Sequence, residues 1–359
     1  MKAGTVTVVI PLYKGERWIE ETLSSVVSQT WLELEILVID DGSPDNSVQI
    51  VEQFCRRDSR IRLIRKENGG VCSARNHGLL EAKGEYFAPL DQDDLWHPDK
   101  LRLQVQRFQD AGPEAAVVYC WCSAIDSRGC ILRRDAGVSH AEGDVLADLI
   151  MANWMPSGSV PLFRTSAIRN AGGYRGALNP ADDIDLYLRL AEQATFLVVR
   201  EFLVGYRQHE TNVSNDGTRM VQQYERVMQD VRKRLPRTPA KLLRWSTANL
   251  RFHYGIMALR GRQFIVAARL LITAFLRDPA LLERVPPIFL KKISDRARAR
   301  EMKDDDVLKG RRFLDLSPHE GARKLQHPDR WARRKAELNR GALRYLRLRP
   351  DGVAVGTAR

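Results

Sequence analysis

No apolar run in this chain is long enough to cross a membrane. A spanning helix needs roughly 20 consecutive apolar residues, whereas the longest candidate, Phe264 to Leu276, stops short and is interrupted by Arg269. The opening run, Val6 to Ile10, has one lysine before it and Pro11 directly after it. That is too short for a secretory leader and reads as a first strand. Cysteine is scarce as well. Its five copies (Cys55, Cys72, Cys120, Cys122 and Cys130) are odd in number and scattered, which argues against a disulfide framework and for a reducing compartment, the cytoplasm. Cys120 and Cys122 flank Trp121 but lack the further Cys or His pair of a zinc site, so both are expected in the core. Cys72 is expected as a small buried thiol. The glycine spacing of a dinucleotide fingerprint is missing, and so is the Gly-Lys-Ser/Thr ending of a phosphate loop. The basic C-terminal part has neither interleaved stacking aromatics nor a known nucleic-acid module, so no nucleic acid is expected as a partner.

What is present is an ordinary globular composition, 44% hydrophobic and 28% charged. At 359 residues the chain allows two domains. A net charge of +12 points to anionic partners, whether nucleotide phosphates, nucleic acid or an anionic membrane face.

Along the first half, β-rich runs alternate with segments of helical period: VTVVIPLY, a helix over 16–29, LEILVID, a helix over 44–57 and IRLIRK. Ser43 is the expected cap of the second helix, with Pro44 in its first turn. Further units follow as a helix over 71–83, a strand over 86–90, a helix over 99–110 and a strand over 115–122, where the sheet is expected to end. Such alternation predicts an α/β fold with a mainly parallel sheet and crossover helices. After Asp216 and Gly217 the composition turns helical and Arg-rich, which places a domain boundary between 1–216 and 217–359.

The strongest local signal is Leu90-Asp91-Gln92-Asp93-Asp94, after a strand and before a helix. Ligands of open α/β sheets gather at the carboxyl ends of strands. From an extended strand end, alternate residues Asp91 and Asp93 share a face and can aim at one hard cation such as magnesium or manganese. The plain alternative has Asp94 capping the next helix and the rest as a solvated turn. A second group, Asp40-Asp41-Gly42-Ser43, is equally well ordinary turn chemistry. The third, Asp182-Asp183-Ile184-Asp185, opens a helix, where crowding should push one carboxyl toward the range of a general base. Between them, Gly69-Gly70 opens a helix carrying Arg75, and amides at such a start can face an anion. Acidic clusters with basic charge would also serve a nucleotidyltransferase or nuclease.

Taken in order, VVIPLYKGERWIEETLSSVVSQTW, VIDDGS, NGGVCSARNHGL, GEYFAPLDQDD, DDIDLYLRL and YRQHETNVS resemble family two glycosyltransferases of the GT-A fold, over about residues 5–216. That resemblance implies an inverting enzyme that moves a sugar from a nucleotide diphosphate donor, a UDP-sugar as first expectation, with Mn2+ or Mg2+ as cofactor. By motif, Pro11, Tyr13, Glu16 and Gln92 would line the donor pocket. Asp41 would bond the base with Arg75 beside it, and Asp91 would sit near ribose and metal. Asp93 would bind the metal, His209 would approach metal or diphosphate, and Asp183 would be the catalytic base. Family members commonly carry Glu-Asp where this chain has Asp182-Asp183, which puts acceptor contacts by Asp182 in doubt.

The acceptor is expected to be a glycan or a lipid-linked sugar in surface polysaccharide synthesis, read by a variable region near 139–161. In 217–359, Phe264, Ala267, Ala268, Leu271 and Ile272 are expected to form a buried helix face. Lys291, Lys292, Arg296, Arg298, Arg300, Arg311, Arg312, Arg330, Arg333, Arg334 and Lys335 are expected to hold the protein peripherally at the inner face of a membrane.

Overall fold

The computed structural model describes residues 1–284 and 308–320. Five of the strands run β1 (Lys2–Leu12), β2 (Leu34–Asp40), β3 (Ile61–Arg65), β4 (Gly84–Pro89) and β5 (Leu95–Trp96). Between them lie α1 (Ile19–Val27), α2 (Ser47–Arg57) and α3 (Val71–Glu81). β3, β2, β1 and β4 pair in parallel, as the alternating pattern predicts. Strands buried on both faces need continuous apolar runs, and Val8, Val9, Ile10, Ile36, Leu37 and Val38 are all fully buried.

The sheet does not end at Cys122. After α4 (Lys100–Gln109), β6 spans Ala115–Ile125 and β7 spans Ile131–Gly137, and β8 (Leu162–Arg164) and β9 (Thr195–Arg207) complete a nine-stranded sheet. Its order is β3-β2-β1-β4-β8-β6-β9-β5, with β7 on β6. Three-residue β8 joins the halves by pairing antiparallel with both β4 and β6. β9 lies parallel to β6 and antiparallel to β5. Pro44 does not open α2, which starts at Ser47. The preceding loop is held by Asp45, whose carboxylate accepts from the Ser47 amide at 3.2 Å and the Glu16 amide at 3.2 Å. Two further helices of this half are α6 (Thr165–Asn170) and α7 (Asp182–Ala191). All five cysteines are free thiols, with Cys72, Cys120 and Cys122 buried.

The chain divides into two compact units. Among the described residues the first holds Met1–Val145 and Trp154–Glu210, and 308–320 returns to it. There Phe313, Leu308 and Leu316 are buried with Leu95, Ile125 and Ile131. Arg134 donates to the carbonyls of Ser317 at 2.8 Å and Glu320 at 3.0 Å. Arg311 pairs with Glu320 at 2.9 Å and Arg312 with Glu21 at 3.0 Å, so these two cations serve the first unit.

The second unit contains Leu146–Asn153 and, among the described residues, 211–284. It is helical, with α5 (Leu146–Met151), α8 (Gly217–Arg234), α9 (Ala240–Arg260) and α10 (Phe264–Arg277). Asp216 caps α8 by accepting from the Arg219 amide at 3.0 Å. Arg251 of α9 bonds Glu225 of α8 at 2.6 Å and Thr273 of α10 at 3.0 Å, which fixes the three helices to one another. The buried face of α10 is Ala267, Leu270 and Ala274. Of the face expected from the sequence, Phe264, Ala268 and Ile272 are exposed instead. No described helix is long and apolar enough to cross a membrane. Lys291, Lys292, Arg296, Arg298, Arg300, Arg330, Arg333, Arg334 and Lys335 lie outside the described residues.

Candidate active site

Parallel pairing puts the carboxyl ends of β1, β2 and β4 on one edge. Leu12 stands opposite Asp40, and Val9 opposite Pro89. Tyr13 and Asp41 follow directly and Asp91 two residues after Pro89, at the edge where ligands of open sheets bind.

Each carboxylate there has a distinct surrounding. Asp41 is buried, and its oxygens accept from the amides of Gly69 at 2.9 Å and Gly70 at 2.7 Å and from Lys66 Nζ at 2.6 Å. The anion faced by the glycine-opened helix start is thus the protein's own. Gln92 clamps the loop after β1 from both sides: its Oε1 accepts from the Tyr13 amide at 2.8 Å and its Nε2 donates to the Tyr13 carbonyl at 2.9 Å. The clamp needs Gly15, because a Cβ there would stand 2.6 Å from Gln92 Oε1. Pro11 is buried in β1, and Tyr13 is 42% exposed. Glu16 accepts from the Asn46 amide at 3.0 Å, linking this loop to the start of α2.

Arg75, buried on α3, joins two acidic clusters. Its guanidinium bonds Asp91 at 2.6 Å, Asp182 at 3.1 Å and Asp183 at 3.1 Å, and its Cζ lies 5.1 Å from the Tyr174 ring centroid. Glycine at 158 makes room for it, since a Cβ there would stand 2.6 Å from Arg75. The structure therefore groups Arg75 with Asp91 and Asp183, while the Asp41 carboxylate is occupied by Lys66 and the two amides. Burial pushes the Asp183 carboxyl up, Arg75 pulls it back, and Asp182 and Asp91 push it up again, leaving it at about 7. The Asp91 carboxyl is raised by burial against the opposing pull of Arg75.

Asp93 turns the other way. Its Oδ2 lies 2.7 Å from His209 Nε2, although 116 positions separate the two residues. The imidazole is stacked on Trp18 at 4.3 Å between centroids. Asp93 and His209 are therefore brought together, with Asp91 on the same loop turned to Arg75. Among the described residues no group of three or more His, Cys, Asp or Glu encloses an ion by itself. A carboxylate oxygen beside an imidazole nitrogen still suits a cation that keeps water and phosphate oxygens in its other positions, as magnesium and manganese do. The donor set fits such an ion.

Asp94 is not a helix cap. It is fully buried, and its carboxylate accepts from Ser157 at 2.5 Å, Ser159 at 2.6 Å and the Arg207 amide at 3.0 Å. Burial and the neighbouring Asp93 and Asp91 hold its carboxyl well above the usual range. Arg207 donates to the Asp93 carbonyl at 2.6 Å, the Asp126 carbonyl at 3.2 Å and Glu21 at 2.7 Å, so its guanidinium braces the loop from within. Asp185 is likewise internal, bonded by Arg175 at 2.8 Å and Arg189 at 3.0 Å.

Ser157, Ser159 and Trp18 were not singled out individually in the sequence: two small hydroxyls and one aromatic join the site through contacts distant in sequence. Within 154–156, Met155 is buried, and Trp154 is half-buried with its ring 5.9 Å from that of Tyr119.

Comparison with known proteins bears on the family and the fold. Residues 7–128 match the family model described as Glycosyl transferase family 2. An uncharacterized glycosyltransferase of Rickettsia typhi is 27% identical over 245 residues, 67% of this chain and 76% of that protein. Chondroitin synthase of Pasteurella multocida is 26% identical over 209 residues, 58% of this chain but 21% of that larger protein. Among solved structures, S. aureus TarS 1-349 in complex with UDP-GlcNAc superposes with a TM-score of 0.56 at 17% identity, covering 76% of this chain and 79% of that one. The mannosyltransferase PcManGT from Pyrobaculum calidifontis, in complex with GDP-Man and Mn2+, gives 0.53 at 19% identity, covering 76% and 86%. The fold is the GT-A arrangement of these structures, and the family resemblance carried by the motifs holds over residues 7–128.

Proposed function

We propose that the protein is an inverting, metal-dependent glycosyltransferase that moves a sugar from a nucleotide diphosphate, a UDP-sugar first, to a hydroxyl of a glycan or lipid-linked acceptor. The observation that carries this reading is the single Arg75 guanidinium bonded at once to Asp91 and to Asp182 and Asp183. It holds a donor-side carboxylate and a candidate base at fixed separation, which is what a direct displacement at the anomeric carbon requires.

In this reading Asp183 takes the proton of the acceptor hydroxyl. A carboxyl held at about 7 is a far better base than an ordinary aspartate and is still ionised in a useful fraction near neutral pH. The one deprotonation needs no second carboxylate nucleophile, so the sugar passes over with inversion. Asp93 and His209 would hold Mn2+ or Mg2+, which when bound neutralises charge on the departing diphosphate. Trp18 keeps the imidazole of His209 aligned with Asp93, and Gln92 fixes the loop of Tyr13 beside the nucleotide. Tyr13, Glu16, Pro11 and Asp41 belong to the donor side. The excess of basic residues supports action at the inner face of a membrane, where polysaccharide precursors are assembled.

The test is incubation with UDP- and GDP-sugars and manganese. Nucleoside diphosphate release that rises with an acceptor, and a product of inverted anomeric configuration by NMR, are expected. Release of pyrophosphate, or retention of configuration, would sink the proposal.

A further inference from the structure

Helix α10 is apolar on both faces. Its inner face, Ala267, Leu270 and Ala274, is buried within the second unit. On the opposite side Ile265, Ile272 and Leu276 recur at seven and four residues, which stacks them along one stripe. They are 88%, 59% and 79% exposed. Phe264, at the turn into the helix, is 63% exposed, and Leu259 and Met257 at the end of α9 are also exposed. A helix in water keeps polar residues on its outer face, and a continuous exposed apolar stripe marks a surface that something covers.

Charge indicates what covers it. From Ala240 to Arg277 the α9–α10 hairpin contains seven Lys or Arg residues and no Asp or Glu. Arg262 in the turn and Arg269 within the stripe are exposed beside the apolar side chains. Two copies meeting through this face would bring like charges together, whereas an anionic bilayer surface answers both features at once. Long basic side chains reach the headgroups while Ile and Leu enter the acyl boundary.

We infer that the outer face of α10, with the hairpin tip at Leu259 and Phe264, is a docking surface that lies in the interface of an anionic membrane. This rests on the reading of a membrane-associated transferase only for its location, since the binding itself is measured without any transfer. It also places the contact on described residues of α9 and α10.

The test is flotation of the full chain with vesicles of phosphatidylcholine alone and with phosphatidylglycerol added, at low and high salt. Binding to the anionic vesicles that weakens with salt is expected. The Ile265→Asp/Ile272→Asp variant should partition at least about tenfold less, because it loses apolar insertion and places charge at the headgroups. Those side chains are exposed, so nucleotide diphosphate binding by the same preparation should be unchanged, which separates docking from folding. No flotation of the parent chain on anionic vesicles, or equal flotation of the variant, overturns the inference. A parent that sediments as a dimer while the variant is monomeric assigns the stripe to a second copy and also overturns it. Transfer activity without flotation would leave the enzymatic reading standing and remove only this one.

Discussion

The two acidic clusters of the first unit, 91–94 and 182–185, look alike as sequence and divide their work in the same way. Each gives Arg75 a partner, Asp91 in the first and Asp182 with Asp183 in the second, and in each one aspartate faces inward to hold the fold. Asp94 is fixed by two serine hydroxyls and a backbone amide. Asp185 is fixed by two arginines. The clusters differ in what they offer outward: Asp93 meets an imidazole, while Asp183 is surrounded by carboxylates and a guanidinium and sits at about 7. The lesson is that an acidic run at a strand or helix end is a composite. Its count of carboxylates says less than the partners each one finds.

Substitutions can break this comparison. The largest effect is expected for Asp183→Asn, which keeps shape but removes the base, with kcat falling on the order of a thousandfold. Donor affinity measured by calorimetry should stay close to that of the parent, and substantial turnover would move the base to another residue. Next, Asp93→Asn should lower nucleotide diphosphate affinity by about a hundredfold in the presence of manganese and little in its absence. A variant whose affinity still responds to manganese like the parent would take Asp93 out of the metal site.

Asp185→Asn should do the reverse of both. Removing a fully buried charge from between Arg175 and Arg189 is expected to cost about 3 kcal/mol of stability, read from denaturant midpoints. kcat at a temperature where the variant remains folded should be within a few-fold of the parent. Equal stability with lost activity would turn the division of roles around.

The smallest effect is one of pH. Because the proposed base must be ionised, kcat/KM should climb about tenfold per pH unit below 7 and level off above it. Asp182 is one of the charges pushing Asp183 up, so Asp182→Asn should move the midpoint of that rise downward. An unchanged midpoint in this variant would show that the profile belongs to a different group.

These contrasts also mark where sequence reading stops. β1 to β4 and the helices between them were legible because β1, β2 and β4 carry apolar runs that end up buried, edge strand β3 interleaves Ile and Leu with Arg, and helical segments separate them. β5 and β8 were not, since two or three residues carry no periodicity and form strands only by pairing with β9, β4 and β6. Within the site, motif and spacing picked out Asp91, Asp93, Asp183 and His209 together. They could not tell that Asp94 and Asp185 face inward, because their partners come from 157–159, 175 and 189. Arg75 was paired with Asp41 by motif, while the fold places its guanidinium on Asp91 and the 182–183 pair. The return of 308–320 has no local sign at all: one phenylalanine and two leucines in a basic stretch acquire meaning only against Leu95, Ile125 and Ile131.

That return has a consequence for how the protein is made. On the ribosome, all of β1 to β9 is translated before Phe313 exists, and the helices α8 to α10 are synthesised in between. At translation speeds of roughly 5–20 residues per second, the 113 residues from Arg207 to Glu320 represent on the order of ten seconds. For that interval the nascent first unit holds Leu95, Ile125 and Ile131 without Leu308, Phe313 and Leu316, and Glu21 holds Arg207 without Arg312. The first unit is therefore finished last, by residues born after most of the second, and a message cut short anywhere before codon 308 yields a sheet whose final apolar cluster never closes.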